Sequence, residues 1–243
     1  MDAFPDQFAD ILSPRARRAL LIAPKRRRPL TPAAPLFYAP DVMSRPAARN
    51  CARLLRRMME PTLRPLNSPI PPEAISEMRR NYSETLPKAV RARTASLNSP
   101  RSRASGAADR IGLRNFLHSD SLHRIAERVS GHRLFARPDR QVLLYERGDY
   151  TGPHNDHHPE DADARLGYVD VHLFVNSPAV ANQLLIYERD GHLCEACDVS
   201  APSGLAVYLL PFWHYTTPLI GRRSARDRPN RWVLMSSFAI DRR

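Results

Sequence analysis

The chain is poor in cysteine, lysine and glycine, and each shortage excludes something. Only Cys51, Cys194 and Cys197 occur in 243 residues, too few for a disulfide framework, which fits a reducing, cytoplasmic setting. No apolar run approaches the roughly 20 residues a membrane-spanning helix needs. The run Ala19-Leu20-Leu21-Ile22-Ala23 is too short for a signal core, and the start, Met1-Asp-Ala-Phe-Pro-Asp6, is acidic, so neither secretory nor organellar targeting nor a membrane partner is expected. No internal repeat is present. Glycine, with 9 residues, is outnumbered by 23 prolines, most of them in the first 100 residues, where they break elements rather than build them.

What remains is ordinary in amount and uneven in arrangement. Hydrophobic residues make up 42% of the chain and charged residues 26%, enough for a packed core. The net charge of +12 belongs to one half: residues 1–140 carry 27 basic and 12 acidic side chains, residues 141–243 carry 10 and 13. A basic half fits nucleic acid, an anionic surface or an acidic protein as partner. Nearly all of that charge is arginine, with only Lys25 and Lys88 as lysines, which fits equally a solvated face shaped by coding bias.

Residues 1–33 contain Arg15, Arg17, Arg18 and Lys25-Arg-Arg-Arg28 among prolines, and read as a basic, flexible arm with one short helix over 4–12. Residues 34–114 read as a helical region. Val42, Met43, Cys51, Leu54, Leu55 and Met58 recur at helical spacing over 41–60. Further helices are expected over 71–82 and 84–95, with a linker near 99–106. Ser119-Asp-Ser121, a periodic stretch to Val129 and then Gly131 predict a capped helix with a glycine stop. From Gln141 the period changes, with short β-rich runs at 142–145, 168–176, 184–188, 205–210 and 232–238 between turn signals. The expected class is α+β: a closed or sandwiched antiparallel β-structure over 115–243, braced by the preceding helices.

The chemistry concentrates in Tyr145-Glu-Arg-Gly148-Asp-Tyr150-Thr-Gly-Pro-His154-Asn-Asp156. Residues i and i+2 of an extended segment point to one side, so His154 and Asp156 can reach one metal. Fe(II) takes imidazole and carboxylate together, and three protein ligands leave positions open on it. His214, after the strand at 205–210, can supply the third. Taken alone, a His-x-Asp pair also fits a polar loop with no metal.

The order Tyr145, Gly148, His154, Asp156 resembles the prolyl-4-hydroxylase-like family of 2-oxoglutarate/Fe(II) dioxygenases. Leu173-Phe-Val-Asn176, Asn182-Gln-Leu-Leu185, Pro202-Ser-Gly204, His214-Tyr-Thr-Thr-Pro-Leu219 and Arg231-Trp-Val-Leu follow in the same order over residues 115–243. The Gly-Gly of the second segment is replaced by Asn182-Gln183. The resemblance implies a double-stranded β-helix (jelly-roll) core. It implies Fe(II) on His154, Asp156 and His214, with 2-oxoglutarate as cosubstrate and ascorbate as an accessory reductant. Arg231 would take the distal carboxylate and Tyr145 would donate a second hydrogen bond. It implies hydroxylation of a prolyl-like side chain of a peptide or protein, or of an amino acid or small molecule. A basic insertion, Gly221-Arg-Arg-Ser-Ala-Arg-Asp-Arg228, puts Arg222 or Arg223 nearer the family's spacing, so either is an alternative carboxylate partner. Tyr145 has the alternative of a plain core position.

His157, His158 and Trp213 are candidates to line the substrate pocket, with an exposed loop and ordinary packing as their alternatives. A metal-dependent cupin-type enzyme would share the barrel. So would a non-catalytic basic binding protein. The demethylases of alkylated bases use this centre too, but their second arginine six residues on is Ser237 here, so nucleic acid is not the favoured substrate. Cys194-Glu-Ala-Cys197 lacks a second pair for zinc and reads as structural.

Overall fold

The computed structural model describes residues 2–22, 28–70, 89–157, 167–190, 192–223 and 227–241. Thirteen strands occur among them: β1 (Leu36–Pro40), β2 (Arg64–Pro69), β3 (Ala89–Ser96), β4 (Leu134–Glu146), β5 (Tyr150–Thr151), β6 (Tyr168–Asn176), β7 (Val180–Asn182), β8 (Leu184–Arg189), β9 (His192–Asp198), β10 (Ser203–Leu210), β11 (His214–Thr216), β12 (Ile220–Gly221) and β13 (Asn230–Ile240). The α-helices are α1 (Pro14–Arg17), α2 (Arg45–Leu54), α3 (Arg103–Arg110), α4 (Leu113–Leu117) and α5 (Asp120–Ser130). The large sheet runs β1-β10-β6-β13-β4-β3-β2, with β5 added to β3. Two small sheets, β11-β8-β9 and β12-β7, complete the structure. Every pairing is antiparallel.

Strand β6 shows how the layers are made. Val169, Val171, Leu173 and Val175 join the apolar cluster that holds Phe116, Leu122 and Ile125 of the helices. Tyr168 and Phe174, on the alternate face, join a second cluster with Leu185, Val199 and Leu219 from the small-sheet side. The large sheet therefore carries helices on one face and the small sheets on the other, with the barrel interior between the sheets. This is a double-stranded β-helix, or jelly roll, braced by helices. A strand buried on both faces reads as a near-continuous apolar run, which is why 168–176 is legible in the sequence.

The N-terminal half differs from expectation. Residues 2–22 are not an extended arm. They form a 3₁₀ turn (Phe8–Ile11), α1 and a π turn (Arg18–Ile22). Phe4 and Phe8 are buried with their rings 5.0 and 5.2 Å from Phe116. The Phe8 and Ala9 amides donate to the hydroxyls of Ser119 and Ser121. Arginine density hid an apolar stripe that docks on α4 and α5. Residues 89–95 are strand, not helix, because β3 pairs with both β2 and β4, and ladder formation overrides the helix preference of Ala and Arg. Residues 71–82, and 84–88, lie outside the described residues. The stretch expected as a linker becomes α3 at Arg103, where the Ser102 hydroxyl accepts from the Ser105 amide at 3.0 Å. The helix over 41–60 holds as α2, with Ser44 as its cap and a π turn, Leu55–Met59, continuing it. No described helix is long and apolar enough to cross a membrane.

At several glycines a side chain would collide, Gly131 and Gly204 among them. Gly131 stops α5 at φ +78°, where any Cβ would lie 2.5 Å from the Pro29 side chain. At Gly204, on β10, a Cβ would lie 2.8 Å from the Tyr38 ring and 3.2 Å from Phe174. Gly204→Ala is expected to destabilise the chain by about 1–3 kcal/mol through overpacking, measured as a lower urea midpoint.

A second link joins α4 to the sheet: Arg140 of β4 donates to His118 Nδ1 at 2.8 Å. Burial, then the charges of Arg140 and Arg114, lower His118 from 6.5 to about 4. A histidine depressed in the folded state stabilises above its unfolded pKa of about 6.5, and that stability is lost as pH falls toward the folded value. The urea midpoint is therefore expected to drop between pH 6.5 and 4, and to drop less in His118→Gln.

Candidate metal centre

After β5 the chain turns through Gly152-Pro153 and brings His154 antiparallel to His214, the first residue of β11. The His154 amide donates to the His214 carbonyl at 3.1 Å, and the His214 amide to the His154 carbonyl at 2.9 Å. Directly opposed residues share a side of the ladder, so the two rings lie 4.2 Å apart. Asp156 does not continue an extended strand. It sits in the left-handed region at φ +53°, a conformation its short polar side chain tolerates, and the turn swings its carboxylate back. Asp156 Oδ2 lies 3.5 Å from His154 Nε2 and 3.6 Å from His214 Nε2.

Backbone carbonyls orient both imidazoles. His154 Nδ1 is 2.8 Å from the Gly152 carbonyl and His214 Nδ1 is 2.9 Å from that of Phe212. A carbonyl only accepts, so each Nδ1 carries a proton and the Nε2 lone pairs are directed toward Asp156. Burial, then the neighbouring His154, holds His214 down at about 3. Burial works to lower His154 as well, but the Asp156 charge and hydrogen bond outweigh it and raise that histidine. Two imidazole lone pairs and a carboxylate converge, with ligand atoms within 4.8 Å of one another. That donor set is the nitrogen-and-oxygen mixture a divalent transition metal takes.

Arg231 on β13 stands opposite Tyr145 on β4 and Asn176 on β6. It is 2% exposed. Its guanidinium lies 4.6 Å from the Tyr145 ring centre and 5.0 Å from that of Phe174. Among the described residues it has no ion pair, and its Nε is buried without a hydrogen-bond partner. Such a cation costs several kcal/mol unless something anionic meets it; a desolvated ring face returns about 2 kcal/mol. The Tyr145 hydroxyl is held 2.7 Å from Thr151 Oγ1, and the Thr151 amide donates to Thr216 Oγ1 at 2.9 Å. A cavity of about 250 Å³ joins Arg231 and Tyr145 to His154, Asp156 and His214, walled by Leu143, Phe174, Leu185 and Val233.

Beyond Asp156 a second cavity, of about 420 Å³, runs past Tyr168, Asp170, Gln141 and Met235 to Arg137 and Asp139. The Tyr168 hydroxyl donates to the Asp156 carbonyl at 3.2 Å.

His154, Asp156, His214, Tyr145 and Arg231 thus line one cavity. Arg222 and Arg223 do not join them: both are exposed, and Arg222 Nε donates to the Pro178 and Val180 carbonyls. Trp213 is buried away from both cavities, its backbone paired with Glu188. His157 also lines neither cavity, and its amide donates to Asn155 Oδ1. His158 lies outside the described residues. The sequence reading missed Asp170, His172 and Tyr208 as cavity residues. The available signal was polar residues at alternate positions of an otherwise apolar run.

No family model matches the chain, and no curated protein does. Solved structures do. An oxidoreductase of the 2OG-Fe(II) oxygenase family from Burkholderia pseudomallei superposes with a TM-score of 0.50 over 96% of this chain and 90% of that one, at 11% identity. The chain has the fold of that oxygenase. A prolyl-4-hydroxylase from Pseudomonas putida gives 0.48 over 96% and 99%, at 16% identity. A prolyl hydroxylase from Trichoplax adhaerens, in complex with a hypoxia inducible factor peptide fragment, gives 0.48 over 95% and 89%, at 9% identity.

Tyr145→Phe keeps the ring on Arg231 and removes the Thr151 hydrogen bond. It is expected to cost about 1 kcal/mol, read by urea denaturation.

Proposed function

We propose that this chain is a 2-oxoglutarate- and Fe(II)-dependent dioxygenase that hydroxylates a C–H bond. The observation that carries this reading is the buried Arg231, without an ion pair among the described residues, sharing one small cavity with His154, Asp156 and His214. His154 and His214, through Nε2, and the Asp156 carboxylate would hold Fe(II). The guanidinium of Arg231 would take the distal carboxylate of 2-oxoglutarate, a planar bidentate match that stays charged when buried. Tyr145, under that guanidinium, would fix its plane. When bound, the iron supplies activation of dioxygen, which the protein's own side chains cannot do. The balance is one C–H, one O₂ and one 2-oxoglutarate consumed for one C–OH, one succinate and one CO₂.

The chain's residues contribute orientation and exclusion of water. The carbonyls of Gly152 and Phe212 fix which imidazole nitrogen faces the centre. Leu143, Phe174, Leu185 and Val233 keep the cosubstrate end dry. The substrate reading is a side chain of a peptide or protein, prolyl or otherwise, or an amino acid, reaching the centre through the cavity beyond Asp156. In this reading residues 115–243 are the catalytic unit, ascorbate serves as accessory reductant, and the reducing cytoplasm is the location, in keeping with Cys51 and Cys197 as free thiols.

The test is an anaerobic titration with Fe(II) and 2-oxoglutarate, followed by succinate release on admission of air. Wild type is expected to bind one iron per chain and to form succinate. His154→Ala is expected to lose iron. Arg231→Ala is expected to keep iron and lose at least tenfold in 2-oxoglutarate affinity, the loss of a charged hydrogen-bonded pair. Metal binding with indifference to 2-oxoglutarate would transfer the assignment to a cupin-type enzyme. No metal binding would leave a non-catalytic barrel.

A further inference from the structure

The interior holds a second buried charge that the proposed chemistry does not use. Asp170 sits on β6, on the inward face that Tyr168, His172 and Phe174 share. It is 5% exposed, yet it lines the cavity beyond Asp156. Its Oδ1 is buried with no hydrogen-bond partner among the described residues. Its other oxygen, Oδ2, lies 3.8 Å from His172 Nε2, too far for a hydrogen bond, and His172 Nε2 is itself unpartnered. His172 lines the cosubstrate cavity, so Asp170 stands at the seam between the two spaces.

Two cations, Arg137 and Arg140, line the same cavity, and each has contacts away from Asp170. Arg137 pairs with Asp139 at 3.1 Å. Arg140 donates to His118 Nδ1 and to the Arg137 carbonyl. The ladder neighbours of Asp170 are Tyr208 on β10 and Ser237 on β13, neither of them cationic. A buried carboxylate oxygen with an empty acceptor site is unfavourable for the same reason as the buried guanidinium of Arg231. At Arg231 the missing partner is an anion; at Asp170 it is a donor, and a charged donor satisfies it best.

We infer that Asp170 is the substrate-recognition residue, and that the substrate presents a protonated nitrogen, an ammonium or guanidinium group, to it from the cavity beyond Asp156. The inference rests on the dioxygenase reading only for the word substrate; the binding itself requires neither iron nor 2-oxoglutarate. The cavity of about 420 Å³ is in the range that holds a small molecule or one long side chain. The cation therefore belongs either to a free basic amino acid or to a basic residue within a peptide. Asp170 is a specificity residue, with no part in holding metal or cosubstrate.

The test is calorimetric binding to the full chain without added metal, using L-arginine, L-lysine and the capped tripeptides acetyl-Gly-Arg-Gly-amide and acetyl-Gly-Lys-Gly-amide. L-citrulline and L-norleucine are the uncharged counterparts, with acetyl-Gly-citrulline-Gly-amide for the peptides. At least one cationic probe is expected to bind tenfold or more tightly than its neutral counterpart, and Asp170→Asn is expected to erase that preference. Binding of free amino acids with silent peptides assigns the small-molecule source, and the reverse assigns a peptide. Equal binding of cationic and neutral probes, binding of none, or a preference that survives in a folded Asp170→Asn would each overturn the inference. The wild-type comparison decides the matter even if the variant does not fold. Its outcome is also separate from the iron and 2-oxoglutarate titration, so either reading can fail while the other stands.

Discussion

A guanidinium buried among rings, with no carboxylate to meet it among the described residues, is the constraint on which the rest of the barrel depends. Arg231 cannot discharge by losing its proton under ordinary conditions, so the fold must hold a cation in an apolar interior. Tyr145 and Phe174 supply ring faces at 4.6 and 5.0 Å, which stabilise a cation without neutralising it. That leaves the charge available to an incoming anion. The neighbouring strands fix its surroundings by register: Tyr145 on β4 and Asn176 on β6 flank Arg231 directly. The Asn176 side chain, rather than meeting the guanidinium, donates to the Val199 and Ala201 carbonyls at 2.7 and 2.6 Å. It pins the loop before β10.

Strand β6 then orders the interior by depth. Its inward residues run from Tyr168, whose hydroxyl reaches the Asp156 carbonyl, through Asp170 and His172, to Phe174 against Arg231. Successive inward residues of a strand lie roughly 7 Å apart, so one strand reaches from Asp156 through the open cavity to Arg231. The outward residues of the same strand, Val169 to Val175, are fixed by the helical layer. Each such buried aliphatic contributes roughly 1.5–3 kcal/mol. The helices thus act on the chemistry through rigidity: they hold the alternation of β6 in register, and a one-residue slip would exchange Asp170 and His172 for valines.

The residues that converge were legible in the sequence, but their geometry was not. His154, Asp156, His214 and Arg231 are recognisable by type and order. The sequence argument for His154 and Asp156 invoked an extended strand, whereas Asp156 reaches the histidines from a left-handed turn. Strands β6, β8, β10 and β13 were visible because burial on the inner or both faces leaves apolar runs. Strands β1 and β2 were hidden by prolines at Pro40, Pro65 and Pro69, residues that sheets accept only where a ladder bond is not needed; both strands lie at the ends of the large sheet. Strand β3 was hidden by Ala-Val-Arg-Ala-Arg, a local helix preference that loses to pairing on both sides. Asp170 was visible as a charge in an apolar run, but only the missing partner gives it meaning, and partners are not written in one dimension.

Charge shows the same limit from the other side. The surplus of arginine in residues 1–140 drew attention by its amount. On α2 it falls on Arg45, Arg49 and Arg53, all exposed, while Ala48, Cys51 and Leu54 of the same helix are buried. That is the solvated face of an amphipathic helix. Among the described residues only two arginines are buried, Arg140 and Arg231. Arg140 donates to His118 and to the Arg137 carbonyl. Arg231 has ring faces and an open cavity. What separates a functional charge from the others, in the readings proposed above, is whether the fold has left its partner out: Arg231 and Asp170 each keep a buried polar atom without a partner among the described residues, and each lines a cavity that Asp156 also lines.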